Sequence, residues 1–293
     1  MTSSAKRPFI SIVTPSLNQA RFLGEAIDSV RLQRYPQHEH LVLDGASVDG
    51  STDVLRHATE TSAINTLWWR SSQDGGQSAA LNEGFARASG DIIGWLNADD
   101  RYRPGCFEEV ARAFALYPEV DVLYGDYTLI DEAGNHLAMR REIEFSRFVL
   151  RYHRVLYIPT TAAFFRRRIF DDGHFLSDSL HYAMDLDLFL RLSDAGYEFR
   201  HLAKVLADFR VHPSSKSVEF MDRQRAEHRS IVLRGTPIAE RFQSMRIRSV
   251  AASALQIPAA AVRYGEKLLR GFYLPDEPPQ DTFETFGRDG TRP

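Results

Sequence analysis

Residues 89–100 have the sequence SGDIIGWLNADD, and the organisation of the whole chain follows from this stretch. A turn of small residues leads into the apolar run Ile92–Leu96, which stops abruptly at the polar segment Asn97–Asp100. A short apolar run bounded by glycine and by acids is typical of a strand that is buried on both faces. Side chains at the carboxyl end of such a strand face the crevice where open α/β sheets bind ligands.

The polar segment Asn97–Asp100 has two interpretations. Amide and carboxylate oxygens are ligands that Mg²⁺ and Mn²⁺ prefer, and substrate phosphates often complete the coordination shell. Two adjacent carboxylates also repel each other, and a bound cation would relieve that repulsion. In the alternative interpretation Asp100 belongs to a turn that caps the next helix, together with Pro104 and Gly105.

The composition is that of an ordinary soluble globular protein. The 293 residues are 43% hydrophobic and 26% charged, and the formal net charge of -3 predicts no nucleic-acid partner. The single cysteine, Cys106, excludes an internal disulfide and a cysteine-built metal site. Residues 1–8 lack the apolar segment of a signal peptide, and no apolar run reaches the ~18 residues of a membrane span. We therefore expect a cytoplasmic protein.

Strand and helix patterns alternate from residue 9 to residue 100. Short apolar runs predict strands, and amphipathic segments predict the helices between them, at 9–13, 22–30, 40–44, 53–59, 67–69, 79–88 and 92–96. This βαβαβαβ order predicts a mostly parallel sheet flanked by helices. Because the carboxyl ends of parallel strands share one edge, the loops that follow them would meet around one ligand.

Those loops are rich in polar residues. They contain Thr14 and Pro15 after the first strand, Asp44 and Asp49 after the second, Asp74–Asn82 after the third and Asn97–Asp100 after the fourth. Any one of these acids, taken alone, is more often a turn former than a ligand. The absence of a G-x-G-x-x-G motif after the first strand argues against a Rossmann site, and the absence of a G-x-x-x-x-G-K-[ST] motif excludes a P-loop.

The rest of the chain is less regular. It predicts a helix at 107–117, a strand at 120–125, a hairpin over 126–136, a strand ending at 165, a helix at 184–192, a strand at 205–211 and a helical region at 236–273 broken at Pro258. Residues 274–293 lack apolar periodicity, so we expect a tail that is mobile or packs as an extended arm. We divide the chain into a main domain at 1–233, a basic amphipathic helical extension at 234–273 and this tail.

Two further residues are candidates for chemistry. Asp185 begins an apolar helix, where a carboxylate facing a cleft can act as a general base. The alternative is a first-turn acid that the helix dipole stabilises. His212 follows a strand, where it would complete a metal shell or contact a phosphate, or would simply bond to the backbone as a loop histidine.

Six segments in this order resemble the family 2 glycosyltransferases, an inverting group of enzymes with the GT-A fold. They are Thr14–Asn18, Asp44–Thr52, Asp74–Gly84, Leu96–Asp100, Asp185–Arg191 and Arg210–His212. Each segment is a weak signal alone, but together they match the order and the spacing of the family. The resemblance extends from about Phe9 to about Ser217, which is most of the chain.

The resemblance implies a fold and a set of roles. The fold would be GT-A, with a nucleotide half at about 9–100, an acceptor half at about 101–217 and a C-terminal helical extension. Nucleotide-sugar contacts would come from Thr14, Pro15, Asn18, Asp44, Asp49, Asp74, Gln77, Asn82 and Asn97. Asp185 would be the catalytic base, and Asp99, together with His212, would bind Mg²⁺ or Mn²⁺.

Two positions depart from the pattern of the family. Asn97 stands where the Asp-x-Asp metal motif has its first acid, so one formal charge is missing from the metal shell. Met184 stands where the family has the Glu of a Glu-Asp pair, so a carboxylate beside Asp185 is missing. Its loss would either lower the proton affinity of Asp185 or change how this base is positioned.

The expected function is that of an inverting, metal-dependent glycosyltransferase in the synthesis of a cell-envelope polysaccharide or glycolipid. The donor would be a nucleoside-diphosphate sugar, with UDP favoured over GDP and dTDP, and the acceptor would be a saccharide or a lipid-linked hydroxyl. One alternative is a sugar-phosphate nucleotidylyltransferase. Such an enzyme should carry a basic glycine-rich loop after the first strand, and this sequence has no such loop there. The other alternative is a non-catalytic nucleotide-sugar binding protein.

The extension at 234–273 allows two interpretations. Seven Arg or Lys residues oppose two Glu residues between Arg234 and Phe272, among regularly spaced apolar side chains. Such a helix would rest on anionic lipid at the cytoplasmic face of a membrane, which suits a lipid-linked acceptor. It would equally suit packing on the main domain or on a second copy of the chain.

Overall fold

A computed structural model describes residues 7–61, 66–153, 155–213, 221–234 and 244–272. The tail predicted at 274–293 lies outside these residues, as do residues 235–243 of the predicted extension. None of the helices in the described ranges is long and apolar enough to cross a lipid bilayer.

Strands and helices alternate in the first half of the chain, as the sequence predicts. The elements are β1 (Ile10–Ser16), α1 (Ala20–Arg31), β2 (His38–Asp44), α2 (Ser51–Thr61), β3 (Leu67–Ser71), α3 (Gln77–Arg87) and β4 (Ile92–Trp95). Each helix buries the apolar face that its sequence pattern predicts, as Phe22 and Val30 do in α1. Gly84 lets α3 lie close to the sheet, because a Cβ atom there would come within 2.2 Å of a methyl group of Val13.

The second half mixes short strands with helices. Its elements are β5 (Arg101–Tyr102), α4 (Cys106–Leu116), β6 (Val122–Ile130), β7 (His136–Arg140), α5 (Arg147–Tyr152), a 3₁₀ turn (Thr160–Ala162), β8 (Ala163–Arg166), α6 (Arg168–Asp171), α7 (Met184–Asp194), β9 (Phe199–Arg210), α8 (Met221–Arg234) and α9 (Met245–Leu269). The predicted hairpin is present as β6 and β7, whose connecting turn contains Gly134 at φ +85°.

The strands of the described ranges form one sheet in the order β3-β2-β1-β4-β8-β6-β9-β5, with β7 paired to β6. The first four strands are mutually parallel, whereas β8 runs antiparallel to both β4 and β6. Neighbouring residues of β8 enter different apolar clusters, Phe164 on one side and Phe165 on the other. The sheet is therefore buried on both faces, and the predicted α/β class is confirmed.

The crevice forms where β1 and β4 separate. β1 pairs with β4 only as far as Val13, opposite Trp95, but it pairs with β2 as far as Ser16, opposite Asp44. The prediction that 14–16 form a loop was therefore wrong. Pro15 fits this position because the side of β1 toward β4 is unpaired beyond Val13, so its missing N–H breaks no pairing with β4.

One helix was not predicted, and one prediction about a helix was wrong. No element was predicted at Met221–Arg234, where the buried apolar residues Ile231, Val232 and Leu233 lie together near the end of the helix. The predicted break at Pro258 is absent from α9, which continues from Met245 to Leu269. Three alanines follow this proline, and burial of Ala252 and Ala259 on the two sides of it anchors both halves of the helix.

Candidate active site

The carboxyl ends of β1 and β4 open into a cavity of about 530 Å³. Its walls come from the end of β1, the start of α3, the loop after β4, the N-terminus of α7 and one side chain of α8. Six of the predicted site residues line it, namely Pro15, Asp74, Gln77, Asn97, Asp99 and Asp185. The structure thus brings candidates for nucleotide contact, metal binding and base catalysis into one cavity.

Asp44 is buried at the end of β2 and lies outside this lining. Its carboxylate accepts hydrogen bonds from the N–H of Ser47 at 3.0 Å and from the hydroxyl of Ser71 at 2.6 Å. These bonds hold together the ends of β2 and β3 next to the cavity. The carboxylate of Asp44 therefore already has hydrogen-bond partners within the protein. A contact with the nucleobase of a bound nucleotide would be an additional hydrogen bond.

Asn18 and Asp49 fix the loops beside the cavity. Asn18 has φ +53° and accepts a hydrogen bond from the N–H of Val48 at 3.0 Å, which ties the loop after β1 to the loop after β2. Asp49 accepts from the N–H of Ala20 at 2.9 Å and so caps α1 from a distant part of the chain. Both side chains shape the edge of the site through backbone contacts.

Thr14 and Asn82 also act away from the cavity lining. Thr14 is buried, with its hydroxyl 2.9 Å from Nε2 of His40. Burial lowers the pKa of His40 to about 3, so this imidazole is neutral at physiological pH. Asn82 bonds to both backbone groups of Leu176 at 2.9 Å and thereby holds the segment that leads toward α7.

The amide of Asn97 is oriented by three partners. Its Oδ1 accepts from the indole N–H of Trp95 at 2.9 Å and from the amide of Gln77 at 3.2 Å. Its Nδ2 donates to Asp100 at 3.1 Å. Two donors thus occupy the two lone pairs of the oxygen that a cation would need. In this arrangement Asn97 joins the loop after β4 to the first residue of α3.

Asp100 is a buried link between the loop after β4 and the strand β9. One carboxylate oxygen accepts from the N–H of Arg210 at 2.9 Å, and the other accepts from the hydroxyl of Thr161. Burial raises the pKa of this carboxyl, and the neighbouring charge of Asp99 raises it further. The helix α4 begins after Gly105, so the interpretation of Asp100 as its cap was wrong.

Asp99 is the acid of this loop that is both exposed to the cavity and paired with a histidine. Its Oδ2 lies 3.0 Å from Nε2 of His212, whose ring packs at 5.0 Å from the ring of Phe22. The guanidinium of Arg210 donates to the backbone carbonyl of Asp99 at 2.9 Å and to Glu25 at 2.6 Å. Sequence analysis assigned no role to Arg210, although its segment was part of the resemblance.

A divalent cation at Asp99 would take only part of its coordination shell from the protein. Within the described residues, no group of three or more His, Cys, Asp or Glu side chains is placed to hold a metal ion. Asp99 and His212 offer one carboxylate and one imidazole, 3.0 Å apart. Mg²⁺ usually keeps several waters and binds through one or two carboxylates and substrate phosphates. The pair therefore fits a cation that arrives with a diphosphate.

Asp185 lies in the first turn of α7 and lines this cavity. Burial raises the pKa of its carboxyl to about 6, against the effect of a hydrogen bond from the N–H of Leu186 at 2.8 Å. Near neutral pH the group is ionised yet accepts a proton readily, as a general base must. Met184 beside it is buried, with its sulfur 3.1 Å from the hydroxyl of Ser78.

Glu227 of α8 holds the N-terminus of α7, a role that sequence analysis missed. Its carboxylate accepts from the backbone N–H groups of His181, Tyr182 and Ala183, at 2.8 Å and 3.0 Å for the last two. The charge of Glu227 also contributes to the raised pKa of Asp185. No local signal indicates this contact, because it joins segments more than forty residues apart in the chain.

Comparison with known proteins identifies the family. The model of the family described as "Glycosyl transferase family 2" matches residues 11–173, more than half of the chain. The chain belongs to glycosyl transferase family 2. It is 35% identical over 205 residues to the O-antigen biosynthesis protein RfbC of Myxococcus xanthus, covering 69% of the chain and 16% of that protein. It is 30% identical over 231 residues to an uncharacterized glycosyltransferase of Rickettsia typhi, covering 72% of the chain and 67% of that protein.

Solved structures support the same fold. The mannosyltransferase PcManGT of Pyrobaculum calidifontis, in complex with GDP-Man and Mn²⁺, superposes with a TM-score of 0.61 at 20% identity, covering 92% of this chain and 82% of that one. Residues 1–349 of TarS from S. aureus, in complex with UDP, give a TM-score of 0.60 at 14% identity, covering 92% and 75%. The family and the GT-A fold that the sequence predicts are therefore confirmed.

Proposed function

We propose that this chain transfers a sugar from a nucleoside-diphosphate sugar to an acceptor hydroxyl, with inversion at the anomeric carbon. The observation that carries the proposal is that Asp99 and Asp185 line one cavity, at the crevice where α/β sheets bind nucleotides. The nucleotide half would comprise about 9–100 and the acceptor half about 101–217. The donor diphosphate would lie toward Asp99 and the acceptor toward Asp185.

Asp185 acts as the base in this mechanism. Its carboxylate takes the proton of the acceptor hydroxyl, and the oxygen attacks the anomeric carbon from the face opposite the diphosphate. The bond from the anomeric carbon to the diphosphate oxygen breaks, and its electron pair leaves with the nucleoside diphosphate. The transition state has oxocarbenium character, as in glycoside hydrolysis. A single displacement of this kind inverts the anomeric centre.

Asp99 and His212 are the residues that would hold a divalent cation. When bound, Mg²⁺ or Mn²⁺ would supply Lewis-acid neutralisation of the charge that develops on the leaving diphosphate. Arg210 and Asp100 fix the backbone on both sides of this pair, so Asp99 needs little reorganisation to meet a ligand.

The relatives support the donor and acceptor classes that we propose. The neighbouring structures hold UDP, UDP-GlcNAc or GDP-Man, and we favour a UDP-sugar as the donor here. RfbC is named for O-antigen biosynthesis, so we propose a saccharide or lipid-linked acceptor in cell-envelope polysaccharide synthesis, used at the cytoplasmic side of the membrane. A thermal-shift panel of UDP-, GDP- and dTDP-sugars with Mn²⁺ would identify the donor.

The test of the mechanism compares two acids of the same helix. Asp185→Asn should reduce glycosyl transfer by about 100-fold or more, because general base catalysis contributes about 10²–10⁴-fold. Asp187→Asn is the matched control, since Asp187 bonds to Arg191 at 2.8 Å on the same helix and does not line the cavity. Transfer within a few fold of wild type for Asp185→Asn would exclude Asp185 as the base. Binding of the identified donor without turnover by the wild type would favour a binding protein instead.

A further inference from the structure

The helix α9 carries an exposed apolar stripe along most of its length. The stripe consists of Ile247, Val250, Ala254, Ile257, Ala261, Tyr264 and Leu268, all of them exposed. Three of its larger side chains are mostly exposed, namely Val250 at 71%, Ile257 at 78% and Leu268 at 68%. Successive members are three and four residues apart in turn, which is the a and d spacing of a heptad repeat. The stripe spans about 32 Å at 1.5 Å per residue.

The opposite face of α9 is docked on the protein, so the helix cannot roll the stripe inward. Ala252 and Ala259 are buried on that face. Arg263 is also buried there and donates to both carboxylate oxygens of Glu142 at 2.9 and 3.0 Å. Lys267 adds an ion pair to the same carboxylate at 3.1 Å. The stripe is therefore held outward by a buried charge cluster.

The charges around the stripe favour a protein partner over anionic lipid. No charged residue occurs from Ser249 to Val262, the centre of the stripe. Arg263 and Lys267 are engaged by Glu142, and Arg270 pairs with Glu144 and Glu266. An interfacial helix needs a broad apolar face bordered by cations directed at the headgroups. Val262 and Leu269 are exposed beside the stripe, but these three cations are turned to the domain and away from any headgroups.

The neighbours of the stripe favour close contact with a second helix. Between Ala251 and Gly265 the e and g positions of the heptads carry small residues except at Pro258, and these small residues are Ala251, Ser253, Ala260 and Gly265. Small side chains at these positions let two helices approach closely, and the uncharged centre creates no repulsion between identical faces. We propose that two copies of this chain pair through the stripe of α9, in a symmetric dimer that leaves the two active-site cavities separate from the interface.

The first test uses the oligomeric state of the full chain. Wild type should sediment as a dimer in analytical ultracentrifugation, and the double variant Val250→Glu, Ile257→Glu should sediment as a monomer. Both positions are exposed in the single chain, so the variant should keep the thermal stability of its fold. Val262→Glu is the matched control, because Val262 is 46% exposed on the same helix but lies off the stripe, and it should remain dimeric.

The second test traps the contact itself. Ile257 is the middle member of the stripe, so a pairing centred on the stripe brings it next to its own copy in parallel and antiparallel arrangements alike. Ile257→Cys should form a disulfide-linked dimer on mild oxidation and Val262→Cys should not, while the buried native Cys106 stays unreactive. Two results would overturn the proposal. One is a wild-type monomer at the highest soluble concentration. The other is binding to vesicles of phosphatidylglycerol and phosphatidylethanolamine that the Glu double variant loses while wild type stays monomeric in solution.

Discussion

At the scale of single residues, the raised pKa of Asp185 predicts how glycosyl transfer depends on pH. A general base must be ionised, and burial raises the pKa of this carboxyl from 3.8 to about 6. The fraction of active enzyme should therefore fall as pH drops through about 6, by about a factor of ten for each pH unit below it. A pH profile of kcat/KM for glycosyl transfer measures this limb.

The control for this profile is again Asp187→Asn, which should keep the acid limb near pH 6 because its carboxylate lies on a different face of α7. A limb near the ordinary Asp value of 3.8 would mean that Asp185 is solvated during the reaction, and would contradict the proposed environment.

Sequence alone could nominate the acids of the site but could not rank them. Asp44, Asp49, Asp99 and Asp100 all follow parallel strands, so pattern and spacing treat them alike. The structure separates them by their partners. Serine groups and a backbone N–H satisfy Asp44 and Asp49, and Arg210 and Thr161 satisfy Asp100. Of these four acids, Asp99 is the one that both lines the cavity and has a histidine, His212, as its hydrogen-bond partner.

At the scale of elements, the contacts of Glu227 predict a coupling between α8 and α7, the helix that carries the proposed base Asp185. Its carboxylate bonds to three successive N–H groups that lead into α7, and its charge helps to raise the pKa of Asp185. Glu227→Gln keeps one acceptor but removes the charge. We expect the free energy of unfolding to fall by about 1–2 kcal/mol, the usual cost of a lost cap. The acid limb of kcat/KM should move to lower pH.

Asp222→Asn is the matched control for Glu227, because it neutralises a carboxylate that is 98% exposed on the same helix. It should change neither the unfolding free energy nor the pH profile. If Glu227→Gln lowers stability but leaves the acid limb in place, then Glu227 has only a structural role and does not position the base.

The elements themselves divide into those with a local signal and those without one. The β1–β4 half follows from apolar periodicity and turn residues, and its parallel order was predictable. The helix α8 was not predictable, because its sequence is largely polar and its buried apolar side chains are confined to a few residues near its end. The extra residues 14–16 of β1 were not predictable either, since they depend on pairing with β2. Tertiary contacts decide these cases.

At the scale of the whole molecule, the helices at the C-terminal end of the described chain support the active site. α9 packs against α5 and α8, and α8 carries Glu227, which holds the helix of Asp185. The anchor of α9 is the buried cluster of Glu142, Arg263 and Lys267. The position of Asp185, the proposed base, therefore depends on a charge cluster formed by residues far from it in the chain.

This dependence predicts the effect of breaking the cluster. Glu142→Gln leaves the buried Arg263 and the partly buried Lys267 without their anion, so the free energy of unfolding should fall by about 3–5 kcal/mol in urea titrations. Arg270→Met is the matched control on the same helix, because its exposed ion pairs are worth about 1 kcal/mol or less. Hydrogen exchange across 245–269 should speed up in Glu142→Gln and stay unchanged in the control. If the two variants were equally stable, the cluster would not anchor α9, and the base would owe its position to α7 and α8 alone.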